Sequence, residues 1–570
     1  MKTTLSTTKH EIHTLAAVLL AIAMALPACL PLLTRHEVSG GDVGLYIPRL
    51  VEFHENLKDG IWLPRWAPDL SHGHGQPLFV FVPPLVQYLG EFWILLGLDA
   101  PVALRYVAVA AVVTASISMF LLGRLLFGNI GGLLASVAFV YAPYFAVDLF
   151  VRRALAEFVA LAFFPAGLYG LVQYYRTRDR RKLLTTVVAY SAIVLTHNGA
   201  ALLFTGTSLA FVVYLAWRSR SWRVLAEQTL ALGLALMLTA FFWLPSLTEM
   251  SAVHIERTIN GYFDYRHHFV YPWQLLATTW GWGGSVIGDA DNMSFSLGWS
   301  HVLCAIVAIL LYRRVSAEHR SAIFFFAMLT LTASYMTIQK SSSVFWSRIP
   351  LLPFLQFPWR FLCVAILGTA LLAGALGAIL ETFARARAPL VLCALLLLTL
   401  PNLSHLKPQA FFDWEADQWT PDAIARRGVE TTALGEYEPR WVEYSPAYEG
   451  EKINLREGAG TVTMSARTPQ KWTLAADLKS GGVAEIPQFY FPGWTATVDG
   501  SEVPIEAAAG AGLMQVPLSK GRHTVTLTFQ NTRIRKLAIA MSAAGFAFVV
   551  LFAARRRAAT AQFANSCMSP

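Results

Sequence analysis

Residues 361–380 read FLCVAILGTALLAGALGAIL, a run of 20 residues that carries no charge. An α-helix rises about 1.5 Å per residue, so a run of this length matches the roughly 30 Å apolar core of a bilayer. The stretch therefore predicts a membrane-spanning helix near residues 360–380.

The composition of the whole chain extends this prediction. Of its 570 residues, 55% are hydrophobic and 14% are charged, whereas a soluble globular chain carries roughly 25% charged residues. The net charge of +9 does not indicate a nucleic-acid partner, because the basic residues form short clusters between apolar runs, such as RTRDRRK at 176–182. Such clusters are typical of cytoplasmic span ends. The five cysteines show neither a disulfide framework nor zinc-ligand spacing.

The same length criterion predicts an all-α polytopic membrane protein with about twelve transmembrane helices. They lie near residues 14–34, 104–122, 130–148, 157–175, 183–200, 202–217, 224–246, 298–313, 320–338, 360–380, 388–404 and 534–553. A cleaved signal or a lipoprotein site at Cys29 is the alternative for the first of these. The apolar run continues to Leu33, which favours a retained helix.

One further apolar stretch, residues 78–98, decides the topology. If it spanned the membrane, five basic clusters between later helices would lie outside; excluding it places all five in the cytoplasm. Pro83, Pro84 and Gly90 also suit a broken helix lying at the interface. The non-cytoplasmic side then receives nearly all the unusual polar residues, in loops at about 35–103, 148–157, 197–199, 247–297, 339–359 and 405–533.

The last of these loops changes to a period of two, as in TATV at 495–498 and HTVTLTF at 523–529. Asp499-Gly500 and Lys520-Gly521 divide such runs and are hairpin signals. We therefore predict a transmembrane domain over 1–404, a C-terminal extracytoplasmic β-sandwich domain over 405–533, and a final helix with a cytoplasmic tail over 534–570.

Candidate catalytic residues lie in the outer loops. Asp42 follows Gly40-Gly41 shortly after the first span and is the best-placed general base, although it could instead cap the helix that begins near residue 44. Outward-facing arginines could stabilise a phosphate leaving group. The candidates are Arg152, Arg153 and Arg360. A helical ion pair of Arg153 with Glu157 is the alternative for that residue.

Other outer residues could contact a substrate. His197 and Asn198 form a turn that could bind a sugar or a phosphate, or could serve only as a turn. The loop around Tyr262, Trp273 and Trp280 could stack on sugars, but an interfacial aromatic belt is the commoner explanation. His72 and His74 have no carboxylate at metal-ligand spacing, so we predict no metal and no cofactor.

Several of these segments together resemble the bacterial YfhO-like membrane proteins and the related group labelled 6-pyruvoyl-tetrahydropterin-synthase-related. The matching segments are Gly41-Asp42 with Arg49, GHGQP at 73–77, RALAE at 153–157, FPWRF at 357–361, FPGW at 491–494 and GRHTV at 521–525. The pterin-synthase label implies a soluble zinc enzyme, which this membrane pattern does not support.

These proteins resemble the GT-C superfamily of glycosyltransferases, which use polyprenyl-phosphate-linked sugars and an acidic residue in the first outer loop. The resemblance implies an enzyme of the bacterial inner membrane, surrounded by membrane lipids, that transfers a sugar to an extracytoplasmic glycan or lipid with inversion. Asp42 would be its catalytic base. Arg152, Arg153 and Arg360 would hold the donor phosphate. The expected substrate-binding residues are Arg49, His72, His74, Glu157, His197 and Asn198. Position 44 is glycine where some members have a second acid, so a metal-dependent mechanism is not implied.

Two other functions stay open from the sequence. A flippase for lipid-linked sugars or polymers would show charges inside spans and symmetry between halves, and few such charges and no such symmetry are visible. A membrane anchor that displays a carbohydrate-binding β-domain would not need so many spans.

Overall fold

The first four-fifths of the chain is helical. A computed structural model describes residues 2–429, 431–447, 450 and 452–566. Its helices are α1 Lys2–Cys29, α2 Val43–Lys58, α3 Leu78–Phe81, α4 Leu85–Leu95, α5 Ala100–Val140, α6 Pro143–Ala146, α7 Leu155–Thr177, α8 Leu183–Val194, α9 Asn198–Ser219, α10 Trp222–Leu238, α11 Ala240–Thr248, α12 Trp299–Leu310, α13 Ala317–Met336, α14 Gln339–Arg348, α15 Leu362–Leu380, α16 Arg387–Thr399, α17 Pro421–Arg427 and α18 Arg533–Ser566.

Seven helices in the described ranges are long and apolar enough to cross a membrane, or up to nine if each bent pair counts as one span. The bent pairs are α10 with α11, at 73°, and α13 with α14, at 84°. The chain is therefore a multi-pass membrane protein. Each of the twelve segments predicted from the sequence falls on helix, but α8 and α12 have only 12 residues each, and α5 joins two predicted segments across a kink at Gly128.

The stretch at residues 78–98 is broken. It forms α3 and α4, of 4 and 11 residues, separated at Val82, Pro83 and Pro84. A proline removes a backbone donor and clashes with the preceding turn, so two in succession end a helix. Neither piece is long enough to span a bilayer.

The central helix of the bundle is α15, which contains the residues quoted first. Its spanning window is completely buried, and it packs chiefly on α5 and α13. Small residues permit this close packing: a Cβ added at Gly377 would lie 2.5 Å from the backbone nitrogen of Gly131. Small residues of this kind are typical of helix interfaces in membranes.

The C-terminal region is a β-sheet region, as predicted. Its strands are β3 Asn454–Glu457, β4 Gly460–Thr468, β5 Lys471–Leu478, β6 Gly482–Phe489, β7 Trp494–Val498, β8 Ser501–Val503, β9 Glu506–Ala507, β10 Leu513–Leu518 and β11 Gly521–Phe529, and a separate pair joins β1 Glu37–Val38 to β2 Phe411–Phe412. The strands form two antiparallel sheets, in the orders β3-β6-β10-β9 and β4-β5-β11-β7-β8. Buried side chains of both sheets share one apolar cluster.

One of the two predicted hairpins is wrong. Asp499 and Gly500 do connect the paired strands β7 and β8, and their φ angles of +51° and +84° suit a tight turn that follows the strand twist. Lys520-Gly521 instead connects β10 to β11, which belong to different sheets. A short turn signal does not distinguish a hairpin from a crossing between sheets, because both need a sharp reversal.

The loop between α2 and α3 packs into this β region. Trp66 is fully buried in the same apolar cluster, its ring centroid lies 5.5 Å from that of Trp494, and its indole nitrogen donates to Gln488 Oε1 at 2.8 Å. A loop from the N-terminal quarter of the chain thus completes the core of the C-terminal region.

Candidate functional site

Asp42 lies immediately before α2. The backbone nitrogen of Gly41 donates to Val151 O at 3.2 Å and that of Asp42 donates to Arg152 O at 2.8 Å, so the loop is held against the segment between α6 and α7. The half-buried Asp42 side chain makes no capping hydrogen bond to α2. The alternative prediction, in which Asp42 serves as a helix cap, is therefore not what the structure shows.

A buried ion-pair cluster lies beside Asp42, and we call it the Glu157 cluster. Glu157 Oε2 accepts from Arg152 Nη1 at 3.0 Å and from Arg360 Nε at 3.1 Å, while Glu157 Oε1 accepts from the Tyr144 hydroxyl at 2.8 Å. Arg152 also pairs with Asp148. One carboxylate thus fixes the guanidinium groups of Arg152 and Arg360, which lie far apart in the sequence.

Arg152 and Arg360 come from distant parts of the chain, and aromatic rings hold both. The Arg152 guanidinium carbon lies 4.6 Å from the ring centroid of Trp359, and that of Arg360 lies 5.1 Å from the ring centroid of Phe357. Arg360 Nη1 also donates to Gln356 Oε1 at 3.0 Å. A guanidinium held by a ring and by a carboxylate keeps one orientation, which suits it to bind an anion.

The Asp42 carboxylate lies within electrostatic reach of this cluster. Burial raises the pKa of Asp42 above its ordinary value, and three positive charges oppose the rise, in decreasing order those of Arg152, Arg49 and Arg360. No described residue donates a hydrogen bond to the carboxylate or forms an ion pair with it. Asp42 is thus a partly accessible carboxylate without a hydrogen-bond or ion-pair partner among the described residues, so it is available to accept a proton.

Two further predicted residues lie near the same cluster. The charges of Glu157, Arg360 and Arg152 all act on His197, whose pKa burial lowers to about 3. His197 Nδ1 accepts from the backbone nitrogen of Ala200 at 3.0 Å and so caps α9. Asn198 is exposed, and its side-chain nitrogen lies 3.5 Å from Phe81 O.

Arg49 lies about two helical turns beyond Asp42, in α2. One of its terminal nitrogens donates to Thr431 O, while its Nε has no partner among the described residues. Arg49 therefore connects the charge near Asp42 to the segment that precedes the β strands.

Arg153 belongs to a second cluster, which we call the Glu37 cluster. Arg153 Nη2 donates to Glu37 Oε1 at 3.0 Å, and Arg105 Nε lies 3.3 Å from Glu37 Oε2. Glu157 pairs with Arg152 and Arg360 and not with Arg153, so the predicted helical ion pair is wrong. The φ of Arg153 is +56°, a left-handed conformation that turns its side chain away from that of Arg152.

The two histidines of the loop between α2 and α3 contact other parts of the molecule. His74 is buried, and its ring nitrogens lie 3.3 Å from Pro487 O and 3.2 Å from Pro446 O, next to the β region. The His72 ring packs against Gly428. None of these contacts involves the Glu157 cluster.

The sequence reasoning missed several residues of the site. Tyr144, Asp148, Gln356 and Trp359 all contact its arginines. The segments that contain Asp148 and Trp359 were singled out by sequence, whereas Tyr144 lies in an apolar run with no signal of its own. In the described ranges, no three or more His, Cys, Asp or Glu side chains are grouped so as to hold a metal ion.

Comparisons with known proteins agree with part of the expected resemblance. A family model described as bacterial membrane protein YfhO matches residues 457–542, which confirms the YfhO-like character predicted from the sequence over the β strands and the start of α18. No curated protein matches the chain.

Several solved membrane-protein structures are also similar. They include the arabinofuranosyltransferase AftD from Mycobacteria (18% identity, TM-score 0.43, 71% of this chain and 28% of that one), ArnT from Cupriavidus metallidurans bound to undecaprenyl phosphate (14%, 0.42, 72% and 77%) and the Archaeoglobus fulgidus oligosaccharyltransferase tethered to an acceptor peptide (13%, 0.46, 75% and 60%). This chain thus spans 28% of the length of the mycobacterial enzyme. At these scores, its function has to be argued from the site itself.

Proposed function

We propose that this chain is an integral-membrane glycosyltransferase that moves a sugar from a polyprenyl-phosphate donor to a glycan or lipid acceptor outside the cytoplasm. The observation that carries the proposal is the unpaired Asp42 carboxylate within electrostatic reach of Arg152 and Arg360. Such a transfer needs a base for the acceptor and positive charge for the leaving phosphate, and these residues provide both.

In the proposed reaction, Asp42 accepts the proton of the acceptor hydroxyl. The acceptor oxygen then bonds to the anomeric carbon of the sugar from the side opposite the phosphate, which inverts its configuration. The bond from that carbon to the phosphate oxygen breaks, and its electron pair leaves with the polyprenyl phosphate. Arg152 and Arg360 stabilise the charge that develops on the leaving oxygen.

The pairing of the charged groups supports a place for an anion. The positive groups are Arg49, Arg152 and Arg360, and the carboxyl groups are Asp42, Asp148 and Glu157. Arg152 pairs with Asp148 and Glu157, and Arg360 pairs with Glu157. Among the described residues, Arg49 pairs with none of these carboxyl groups and donates only to Thr431 O, so its charge is available to a phosphate group.

The other predicted residues have smaller proposed roles. We propose that Arg49, His197 and Asn198 contact the substrate around Asp42 and that Glu157 orients the two phosphate-binding arginines. The charge of Arg49 on Asp42, and those of Glu157, Arg152 and Arg360 on His197, support this. Arg153 is better suited to positioning the Asp42 loop, because its guanidinium is held by Glu37. His72 and His74 contribute to the contact with the β region and not to the substrate.

We also propose the topology that places this chemistry outside the cytoplasm. It has twelve spans, with α5 counted as two and the short helices α8 and α12 included. A membrane domain over 1–404 contains the first eleven, and the segment over 534–570 contains the last helix and a cytoplasmic tail. The charge bias of the loops supports it. The β region, proposed as a sandwich domain over 405–533, would help to recruit the acceptor.

The experiment that tests the function uses the purified full chain in lipid nanodiscs. It is incubated with undecaprenyl phosphate carrying radiolabelled glucose, mannose, galactose or arabinose, together with envelope glycan and lipid fractions as acceptors. We expect the chain to consume at least one donor and the Asp42→Asn variant to consume it at least about a hundredfold more slowly. Donor that is bound or moved across the bilayer but not consumed would instead indicate a flippase.

A further inference from the structure

An exposed tyrosine lies at the edge of the Glu157 cluster and has no role in the reaction described above. Tyr262 belongs to the loop between α11 and α12, and 51% of its surface is exposed. Large exposed aromatic side chains in water or at a membrane surface are common individually, so exposure alone does not define a site. What distinguishes Tyr262 is how firmly its ring is held and what lies next to it.

Contacts on several sides fix the Tyr262 ring. Its hydroxyl donates to Ser285 O at 2.9 Å. Its ring meets the His268 ring edge-on, with centroids 4.9 Å apart and planes at 71°, and the Phe357 ring with centroids 6.0 Å apart and planes at 64°. His268 Nδ1 lies 2.9 Å from the hydroxyl of Ser285, which closes the arrangement. The ring is therefore preorganised while half of the side chain stays accessible.

The loop that carries Tyr262 is joined to the phosphate-binding side of the site. The side-chain nitrogen of Gln356 donates to Thr258 O at 3.1 Å, and its side-chain oxygen accepts from Arg360 at 3.0 Å. Phe357, which contacts Tyr262, also lies under the Arg360 guanidinium. Tyr262 is also within electrostatic reach of both Arg152 and Asp42.

We propose that Tyr262 is the surface on which the sugar ring of the donor stacks. This inference rests on the proposed function, in which the sugar must lie between the base Asp42 and the arginines that hold the phosphate. The Tyr262 ring contacts Phe357, which packs under the Arg360 guanidinium, and Asp42 lies within electrostatic reach of Tyr262. A sugar ring has an apolar face of C–H groups that packs on an aromatic ring, and a ring that is already fixed loses little conformational freedom when it binds.

The same loop provides a matched control. Trp273 is 52% exposed, about as much as Tyr262. The ring contacts with His268 and Phe357 that Tyr262 makes are not found for Trp273 among the described residues. If the exposed aromatics of this loop serve only as an interfacial belt, the two residues are equivalent. If Tyr262 binds the sugar, only its replacement weakens donor binding.

The test compares two ligands on the full chain in nanodiscs: undecaprenyl phosphate and the same lipid carrying glucose, mannose, galactose or arabinose. For the wild type, we expect at least one sugar to tighten binding over the bare lipid phosphate by about tenfold, in line with stacking on a fixed aromatic ring. Tyr262→Ala should lose this gain and keep its affinity for undecaprenyl phosphate within about twofold. Tyr262→Phe and Trp273→Ala should keep both.

The outcomes separate this inference from the proposed function. If the wild type does not bind undecaprenyl phosphate, both fail. If it binds the bare lipid but no sugar tightens binding, or if Tyr262→Ala keeps the full gain, only the stacking role is overturned. If Tyr262→Ala weakens both ligands equally, the residue supports the structure of the site and does not contact the sugar, which also overturns the inference.

Discussion

Two clusters lie side by side in this molecule, and each is built on one buried glutamate paired with two arginines. Glu157 binds Arg152 and Arg360, and Glu37 binds Arg105 and Arg153. In the Glu157 cluster the two arginine side chains are 11% and 10% exposed, while in the Glu37 cluster they are 3% and 4% exposed. Only the first has an unpaired carboxylate beside it. The candidate site therefore differs from the structural cluster in the greater exposure of its arginines and in the unpaired carboxylate of Asp42 beside them.

The division between the clusters falls within one dipeptide. Arg152 and Arg153 are neighbours in the sequence, but the left-handed conformation of Arg153 sends their side chains to different glutamates. The Asp42 loop contacts both arginines. The backbone nitrogen of Asp42 donates to Arg152 O, and Gly40 packs on the Arg153 side chain. We therefore expect the Glu37 cluster to hold the loop and the Glu157 cluster to act on the substrate.

The strongest test of this division exchanges a carboxylate for an amide in each region. Asp42→Asn should lower the transfer rate by about 10²- to 10⁴-fold, the usual contribution of a general base, and leave thermal stability unchanged because Asp42 has no described partner. Glu37→Gln should instead lower the free energy of unfolding by about 3 kcal/mol, since two buried arginines lose their counter-charge. Rate and thermal-melting measurements on both variants check this, and a stable, inactive Glu37→Gln protein would contradict it.

The second test removes one arginine from each cluster. Arg360→Met should reduce the rate about 10²-fold, because one of the groups that stabilise the leaving phosphate is lost. Arg105→Met is its control: it also breaks a buried pair, but the protein that remains folded should keep its rate within about threefold. Equal losses of rate in the two variants would mean that the clusters do not differ in function.

The third test uses the two glycines before Asp42. A Cβ at position 40 would collide with the Arg153 side chain, whereas one at position 41 would lie 3.2 Å from Arg152 O, which is tight but tolerable. Gly40→Ala should displace the loop and lower the rate roughly tenfold, since small misplacements of a catalytic group are costly. Gly41→Ala should have a smaller effect. Steady-state rates decide the order, and the reverse order would argue against the loop position described here.

The smallest expected effect is in the pH dependence of the rate. A general base works when deprotonated, and burial raises the pKa of Asp42, so the rate should fall as the pH drops through a value above the ordinary aspartate pKa of about 3.9. The pKa of His197, lowered to about 3, keeps this residue neutral from pH 5 to 8. His197→Gln should therefore leave unchanged the pH at which the rate falls on the acid side. A shift of that pH in this variant would assign the titration to the histidine.

The sequence predicted the elements of this fold better than their long-range contacts. Apolar runs and alternating runs depend on local geometry, so the helical segments, the broken stretch at 78–98 and the strands around 495–498 and 523–529 could be predicted. The partners of Glu157 could not, because Arg360 is brought to it by packing of α15 against the rest of the bundle. Arg153 shows the same limit: neither its left-handed φ nor its pairing with Glu37 has a signal in a run of five residues.

The burial of Trp66 among the strands affects how a soluble fragment of this protein can be designed. A fragment limited to the region after residue 405 would lack the Trp66 indole, which fills part of its interior and donates to Gln488 Oε1. Its loss would leave a hole lined by Phe491, Trp494 and Phe529. Such a fragment would be prone to aggregate when secreted alone. Grafting the tryptophan loop onto it, or supplying that loop as a peptide, is the route to a soluble piece.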